Sequence, residues 1–246
     1  MEDVNNMSQS KKTSNYTGIV VSFEGTDGSG KSTQVAALKE KLSNLGYKVR
    51  NYKFPTYGIS GKLAFAYLAN EEIDSASLNG YQAASLYLVD MMCYAKEIKE
   101  AVDNGEVVII DRYVGSNYYQ QAVRSLDIKS PSFEMQLRKF IHEIDQMAYY
   151  MMKIYRPDIT FFMNVSPEFS RSIRENDPSR VTKDFHEKDE DYLFNVSLAA
   201  KTACSISKWK SIDCDYRAIK DISENVFEEF NSEVHGHSSY YKFNFE

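Results

Sequence analysis

Ten residues, FEGTDGSGKS at positions 23–32, restrict the possible architecture more than any others in this chain. They are entered from the apolar run GIVVSF, in which 19–23 reads as a short buried strand. Beyond them Val35, Leu38, Leu42 and Leu45 recur at spacings of three and four, which predicts an amphipathic helix stopped by Gly46. Strand, glycine turn and helix in this order carry the spacing Gly25-x4-Gly30-Lys31-Ser32 of a phosphate-cradling loop. Glycines let backbone N–H groups turn inward around phosphate oxygens, and the helix N-terminus adds its positive dipole end. Lys31 is placed to bridge terminal phosphates and the Ser32 hydroxyl to ligate Mg²⁺. A glycine turn with a chance lysine is the bland alternative, and the flanking strand and helix argue against it.

Further strands are predicted at 47–54, 106–110, 159–165 and 209–212, with helices between them at 62–68, 77–102, 114–124 and 132–152. Asn79-Gly80 blurs the start of the second of these helices. Ser166-Pro167 opens another helix, with Ser at the cap and Pro in the first turn. One helix ends near Ser207 and a last one spans 217–230. Alternating strands and helices predict an α/β fold, a parallel sheet covered by helices on both faces. Residues 175–190, ENDPSRVTKDFHEKDE, are almost wholly polar and read as a lid. The expected organisation is an arm at 1–17, one domain at 18–233 and a tail at 234–246.

The 246 residues are 43% hydrophobic, enough for a sizeable core. With Lys+Arg 29 against Asp+Glu 35, the net charge of -6 argues against a nucleic-acid polymer as partner, since a basic face supplies most of that affinity. Cys93, Cys204 and Cys214 are few, odd in number and far apart, which fits reduced thiols. No apolar run approaches the ~20 residues that span a bilayer. Residues 1–17 lack the apolar centre of a secretory signal. A cytoplasmic location is expected.

The loop alone leaves the acceptor of the phosphate open, because GTPases, motor ATPases and small-molecule kinases all use it. No guanine-reading motif is found. The strand EVVII ends in Asp111-Arg112-Tyr113 instead of the Asp-Glu of many ATPases. At the C-terminal edge of a parallel sheet, where ligands bind, Asp111 is placed to organise Mg²⁺ and Arg112 to clamp an acceptor's phosphate. An ordinary strand-end ion pair is the alternative.

FEGTDGSGKST, FPTYG, DRYVGSN and PDITFFMNVSPE, in this order, resemble the thymidylate kinase family of P-loop nucleoside monophosphate kinases over about residues 18–233. The resemblance implies a three-layer P-loop NTPase fold with a five-stranded parallel sheet, a homodimer, and phosphoryl transfer from ATP·Mg²⁺ to a deoxynucleoside monophosphate, dTMP. It implies that the loop from Gly25 through Thr26, Asp27, Gly28, Ser29, Gly30, Lys31 and Ser32 to Thr33 binds ATP. Asp27 would also lie near the acceptor's sugar and phosphate. Phe54 and Pro55 would wall the acceptor pocket, Tyr87 would stack on the base, and Arg112 would hold the acceptor phosphate. Ser116 and Asn117 would read base and sugar. Gly28-Ser29 stand where one family branch carries an arginine, so the catalytic charge is expected from the lid. Arg180 is the first candidate there, ahead of Arg174 and Lys183, with a solvated charge run as the alternative. Asp184 and Glu187 could orient the lid or be plain surface charges.

Two positions depart from the family pattern. Met91 follows Asp90 where the family has an arginine that helps recognise thymine, and Gln120 stands where Tyr or His is common near the deoxyribose. Met91 shares a helix face with Tyr87 but cannot donate a hydrogen bond. Losing such a donor costs ~1–3 kcal/mol, so a relaxed or different monophosphate acceptor is a second reading. A nucleotide-binding module without turnover is a third, against which Lys31, Ser32, Asp111 and Arg112 weigh. Tyr119 is expected to point away from the sugar. His235 and His237 read as solvated, His142 as structural, and nothing beside Cys93 suggests an activated thiolate.

Overall fold

The computed structural model describes residues 18–70, 73–175 and 190–236. Five strands, β1 (Ile19–Glu24), β2 (Val49–Lys53), β3 (Val107–Asp111), β4 (Ile159–Asn164) and β5 (Lys210–Asp213), form one sheet in the order β2-β3-β1-β4-β5. Every pairing is parallel. The described helices are α1 (Lys31–Asn44), α2 (Lys62–Ala69), α3 (Gly80–Asp103), α4 (Val114–Gln120), α5 (Phe133–Asp145), α6 (Pro167–Glu175), α7 (Glu190–Ser207) and α8 (Ile219–Gly236).

β1 has a strand on each side and a helical layer on each face, so all six of its residues are buried. That is why Ile19, Val20 and Val21 are apolar in succession, with no polar residue turned to solvent. Successive side chains still go to opposite faces. Ile19, Val21 and Phe23 pack with Val35, Leu38 and Leu42 of α1 and with Val226 and Phe230 of α8. Val20 turns to the larger core made by α3, α4, α5 and α7. The same parity sends Ser22 and Glu24 toward that second layer. Each fully buried Val, Ile or Phe here contributes about 1.5–3 kcal/mol.

Several boundaries differ from the sequence expectation, each for a local reason. Leu45 is the C-cap residue of α1 and is 47% exposed, off the apolar stripe formed by Val35, Leu38 and Leu42. The third helix starts at Gly80, not 77. The Asn79 side chain accepts from the Gln82 backbone N–H while Gln82 Oε1 accepts from Asn79 N, a reciprocal cap that fixes the first turn. The helix predicted at 114–124 is α4 followed by a separate 3₁₀ turn, Ala122–Arg124. That predicted at 132–152 is α5 continued by a π-helical turn, Gln146–Met151. α8 runs to Gly236 because Val234 is still core, so the last helix passes the expected domain edge at 233. The 1–17 arm, the tail from 237 and the lid positions Arg180, Lys183, Asp184 and Glu187 lie outside the described residues, as do the side chains of Arg174 and His235.

Candidate active site

The C-terminal ends of β1 and β3 are adjacent, with Phe23 paired to Asp111. The phosphate-cradling loop leaves β1 at Gly25, whose φ of 146° and surroundings both demand glycine. A Cβ there would lie 2.7 Å from Ser29 Oγ and 2.9 Å from the Met163 carbonyl. Gly28 and Gly30 each have a φ of 79°. Gly30 caps α1, and a Cβ on it would meet nothing within 4 Å, so the backbone faces open space at the helix N-terminus. This is the geometry of an anion cradle.

Lys31 is buried and turns back over the loop, donating to the Thr26 carbonyl at 2.6 Å and to Ser29 Oγ at 3.2 Å. Burial, with help from Arg112, pushes its ammonium down to about 7 against the pull of Asp27, Asp111 and Glu24. Ser32 Oγ donates to Asp111 Oδ2 at 2.5 Å, and Lys53 Nζ lies 3.8 Å from the same oxygen. Thr33 sits exposed in the first turn of α1.

Arg112 has a φ of 64°, in the left-handed region that non-glycine residues rarely adopt. Its Nη1 donates to the Gly25 carbonyl at 3.3 Å, and its Nη2 pairs with the Asp27 carboxylate. The resulting tip looks into a cavity of ≈ 100 Å³ lined by Asp27, Phe54, Pro55, Leu68, Tyr87, Met91, Arg112, Ser116, Asn117 and Gln120. Nine of these are the residues that the sequence assigned to an acceptor pocket, and the fold brings all nine together. Leu68 is the addition; an apolar residue of a short helix carries no chemical signal.

Five segments build the cavity wall, with Asp27 from the loop after β1, Leu68 from α2 and three further stretches. α3 supplies Tyr87, set edge-on to Tyr67 at 6.1 Å, and Met91, which is 2% exposed. The chain after β2 supplies Phe54 and Pro55, joined by a cis peptide bond. Asp90, fully buried beside Met91, accepts from Thr56 N at 2.6 Å, Thr56 Oγ1 at 2.7 Å and Ser60 Oγ at 2.5 Å, which ties that loop to α3. α4 supplies Ser116, Asn117 and Gln120. Ser116 Oγ donates to Glu24 Oε2 at 2.6 Å and Asn117 Nδ2 to the Val114 carbonyl at 3.2 Å.

Two site residues escape a reading of the sequence. Glu24 was only the acidic letter before the first loop glycine, yet it is fully buried and accepts three hydrogen bonds, from Tyr113 N, Ser116 Oγ and Tyr119 OH. Burial pushes its carboxyl up to about 7, although Ser116, Tyr113, Arg112 and Lys31 all favour the charged form. Tyr119 does turn away from the cavity, but into the loop: its hydroxyl lies 3.1 Å from both Gly25 N and the Gly25 carbonyl. Nothing local marks either residue; an alternation that places Glu24 on the α4 face of β1 is the one available clue. The cysteines are free, and burial pushes the Cys204 thiol up to about 11 and Cys214 up to about 12.

The family model described as thymidylate kinase matches residues 23–226. The chain belongs to the thymidylate kinase family. A thymidylate kinase of Prochlorococcus marinus (strain NATL1A) is 31% identical over 225 residues, covering 88% of this chain and 96% of that relative. One from Thermosipho melanesiensis is 27% identical over 216 residues, covering 85% and 100%. The solved thymidylate kinase of Candida albicans superposes with a TM-score of 0.65 at 21% identity, over 88% of this chain and 93% of that one, and shares its fold. Membership makes the chain a phosphotransferase of the nucleoside monophosphate kinase kind. Among the described residues no helix is long and apolar enough to cross a membrane.

Proposed function

We propose that this enzyme transfers the γ-phosphoryl group of ATP, taken as its Mg²⁺ complex, to dTMP, giving dTDP and ADP. The observation that carries the reading is the placement of one cavity beside one loop. The Arg112–Asp27 pair stands between the phosphate cradle and a wall of Phe54, Tyr87, Leu68 and Met91. A charged end beside the loop suits the acceptor phosphate, and the apolar wall suits a base.

The transfer needs no covalent intermediate. It runs on holding two polyanions in line and neutralising their charge. Backbone N–H groups of residues 26–30 hold the donor phosphates, Lys31 swings from Thr26 onto their terminal oxygens, and Arg112 grips the acceptor phosphate as a planar fork. The Ser32 hydroxyl and Asp111 carboxylate, 2.5 Å apart, are hard oxygen donors that fit Mg²⁺, an ion commonly held by one or two protein ligands plus substrate phosphates. When bound there, Mg²⁺ supplies charge neutralisation on the phosphate oxygens. Arg180 is the lid cation assigned to the transferring group. The working enzyme is a cytoplasmic homodimer.

Met91 supports a second reading, a broader monophosphate acceptor range, because a thioether in that wall offers no donor to a base carbonyl. The deciding assay is ADP release with ATP·Mg²⁺ against dTMP, dUMP, dCMP, dGMP, dAMP and thymidine. Turnover with dTMP well above the rest is expected. Comparable turnover with several monophosphates transfers the case to the second reading, and none with any of them leaves a nucleotide-binding module.

A further inference from the structure

Three consecutive residues at the end of β1 hold Arg112 and its neighbour by three different atoms. The Phe23 carbonyl accepts the Arg112 N–H at 3.0 Å. Glu24 Oε1 accepts the Tyr113 N–H at 3.0 Å. The Gly25 carbonyl accepts from Arg112 Nη1 at 3.3 Å. Glu24 Oε2 also takes Ser116 Oγ at 2.6 Å and Tyr119 OH at 3.2 Å, so one carboxylate holds α4 from its N-cap residue to Tyr119. The fit is tight: a Cβ on Gly115 would come within 2.8 Å of Glu24 Oε1.

A fully buried carboxylate is costly unless donors satisfy it, and an apolar side chain would fill the same volume more cheaply. What this carboxylate does that an apolar residue cannot is receive the N–H that follows Arg112. That matters because Arg112 has a φ of 64°, and a left-handed arginine persists only where its surroundings hold it.

We infer that Glu24 is a positioning residue: its carboxylate clamps the turn after β3, keeps Arg112 left-handed, and so aims the guanidinium at the acceptor phosphate. The inference rests on the phosphoryl-transfer reading above. Tyr119 provides a separable arm, since its hydroxyl meets Gly25 N and the Gly25 carbonyl, each at 3.1 Å, and so braces the donor loop.

The test compares wild type, Glu24→Ala, Glu24→Gln and Tyr119→Phe by the KM for dTMP, the KM for ATP and amide exchange across residues 111–116 in ligand-free protein. Glu24→Ala should raise the dTMP KM about tenfold or more, leave the ATP KM within about threefold, and speed exchange across 111–116. Glu24→Gln keeps an oxygen for the Tyr113 N–H and should recover most of that loss. Tyr119→Phe should move the ATP KM instead. Parallel rises in both KM values for Glu24→Ala, or a lower melting temperature with both KM values unchanged, would overturn the role. Should Glu24→Ala fail to fold, Glu24→Asp carries the same comparison, its shorter reach predicting the same selective rise. If wild type phosphorylates no monophosphate, the phosphoryl-transfer reading fails on its own. Exchange then decides the positioning role: faster exchange at 111–116 upholds it, and unchanged exchange ends it.

Discussion

Ser32 Oγ donates to Asp111 Oδ2 across 2.5 Å, tying the first turn of α1 to the last residue of β3. The two residues stand 79 positions apart and meet because β1 and β3 are parallel neighbours ending at the same level. Ser32→Ala and Asp111→Asn should each lower kcat about 100-fold and shift the Mg²⁺ dependence of turnover to higher concentration. A titration of Mg²⁺ at saturating ATP and dTMP reads this. An unchanged Mg²⁺ midpoint in both variants would remove the pair from the metal site.

Arg112 pairs with Asp27 and reaches the Gly25 carbonyl, so its removal leaves the cavity wall intact but strips its charged end. Arg112→Ala should cut kcat/KM for dTMP by about 10²–10³ while ATP binding changes little. Arg112→Lys restores the charge without the planar fork and should recover only part of the loss. Equal turnover in wild type and Arg112→Ala would end its assignment to the acceptor phosphate.

The buried Glu24 carboxyl, pushed up to about 7 from an ordinary 4.5 by burial, makes stability depend on pH. Between those values the unfolded chain has released a proton that the folded chain keeps, so the folded state binds more protons there. Stability is therefore fully present below pH 4.5 and declines as pH rises through about 7, by up to about 3 kcal/mol. Glu24→Gln cannot titrate and should flatten this slope. Urea unfolding of both proteins at pH 5 and pH 7.5 measures the difference.

Met91 joins the core cluster and the cavity wall at once, at 2% exposure. Met91→Leu keeps the volume and should cost less than about 1.5 kcal/mol, with turnover retained. Met91→Ala opens a void and should cost about 2–5 kcal/mol, with a higher dTMP KM. Thermal melts with steady-state kinetics check both. A harmless Met91→Ala would show that the helix collapses onto the space and that the wall is not set by this side chain.

How much of this site can be read in advance depends on how local its physics is. The phosphate cradle is legible because a turn built from backbone N–H groups needs glycine at Gly25 and Gly30, and those requirements sit within six residues. Asp111 and Arg112 are legible as the polar end of an apolar strand. The nine cavity residues needed motifs taken together, since Phe54, Tyr87 and Asn117 mean little singly. Asn79-Gly80 misled by one turn, because a glycine that breaks many helices here opens one behind a reciprocal cap.

The chain's alternating strands and helices, the glycine spacing and the DRY turn were enough to specify a parallel α/β sheet with a phosphate loop on its central strand. All of these follow from short-range rules, backbone sterics and hydrophobic period, acting over a few residues. The sheet register and the rotation of α4 settled the rest. They bring Tyr119 to Glu24 across 95 positions, hold Arg112 left-handed beside Asp27, and close ten residues from five separate segments around one cavity. No short-range rule relates such residues, because their contacts exist only once packing has chosen how each strand and helix is set against the next.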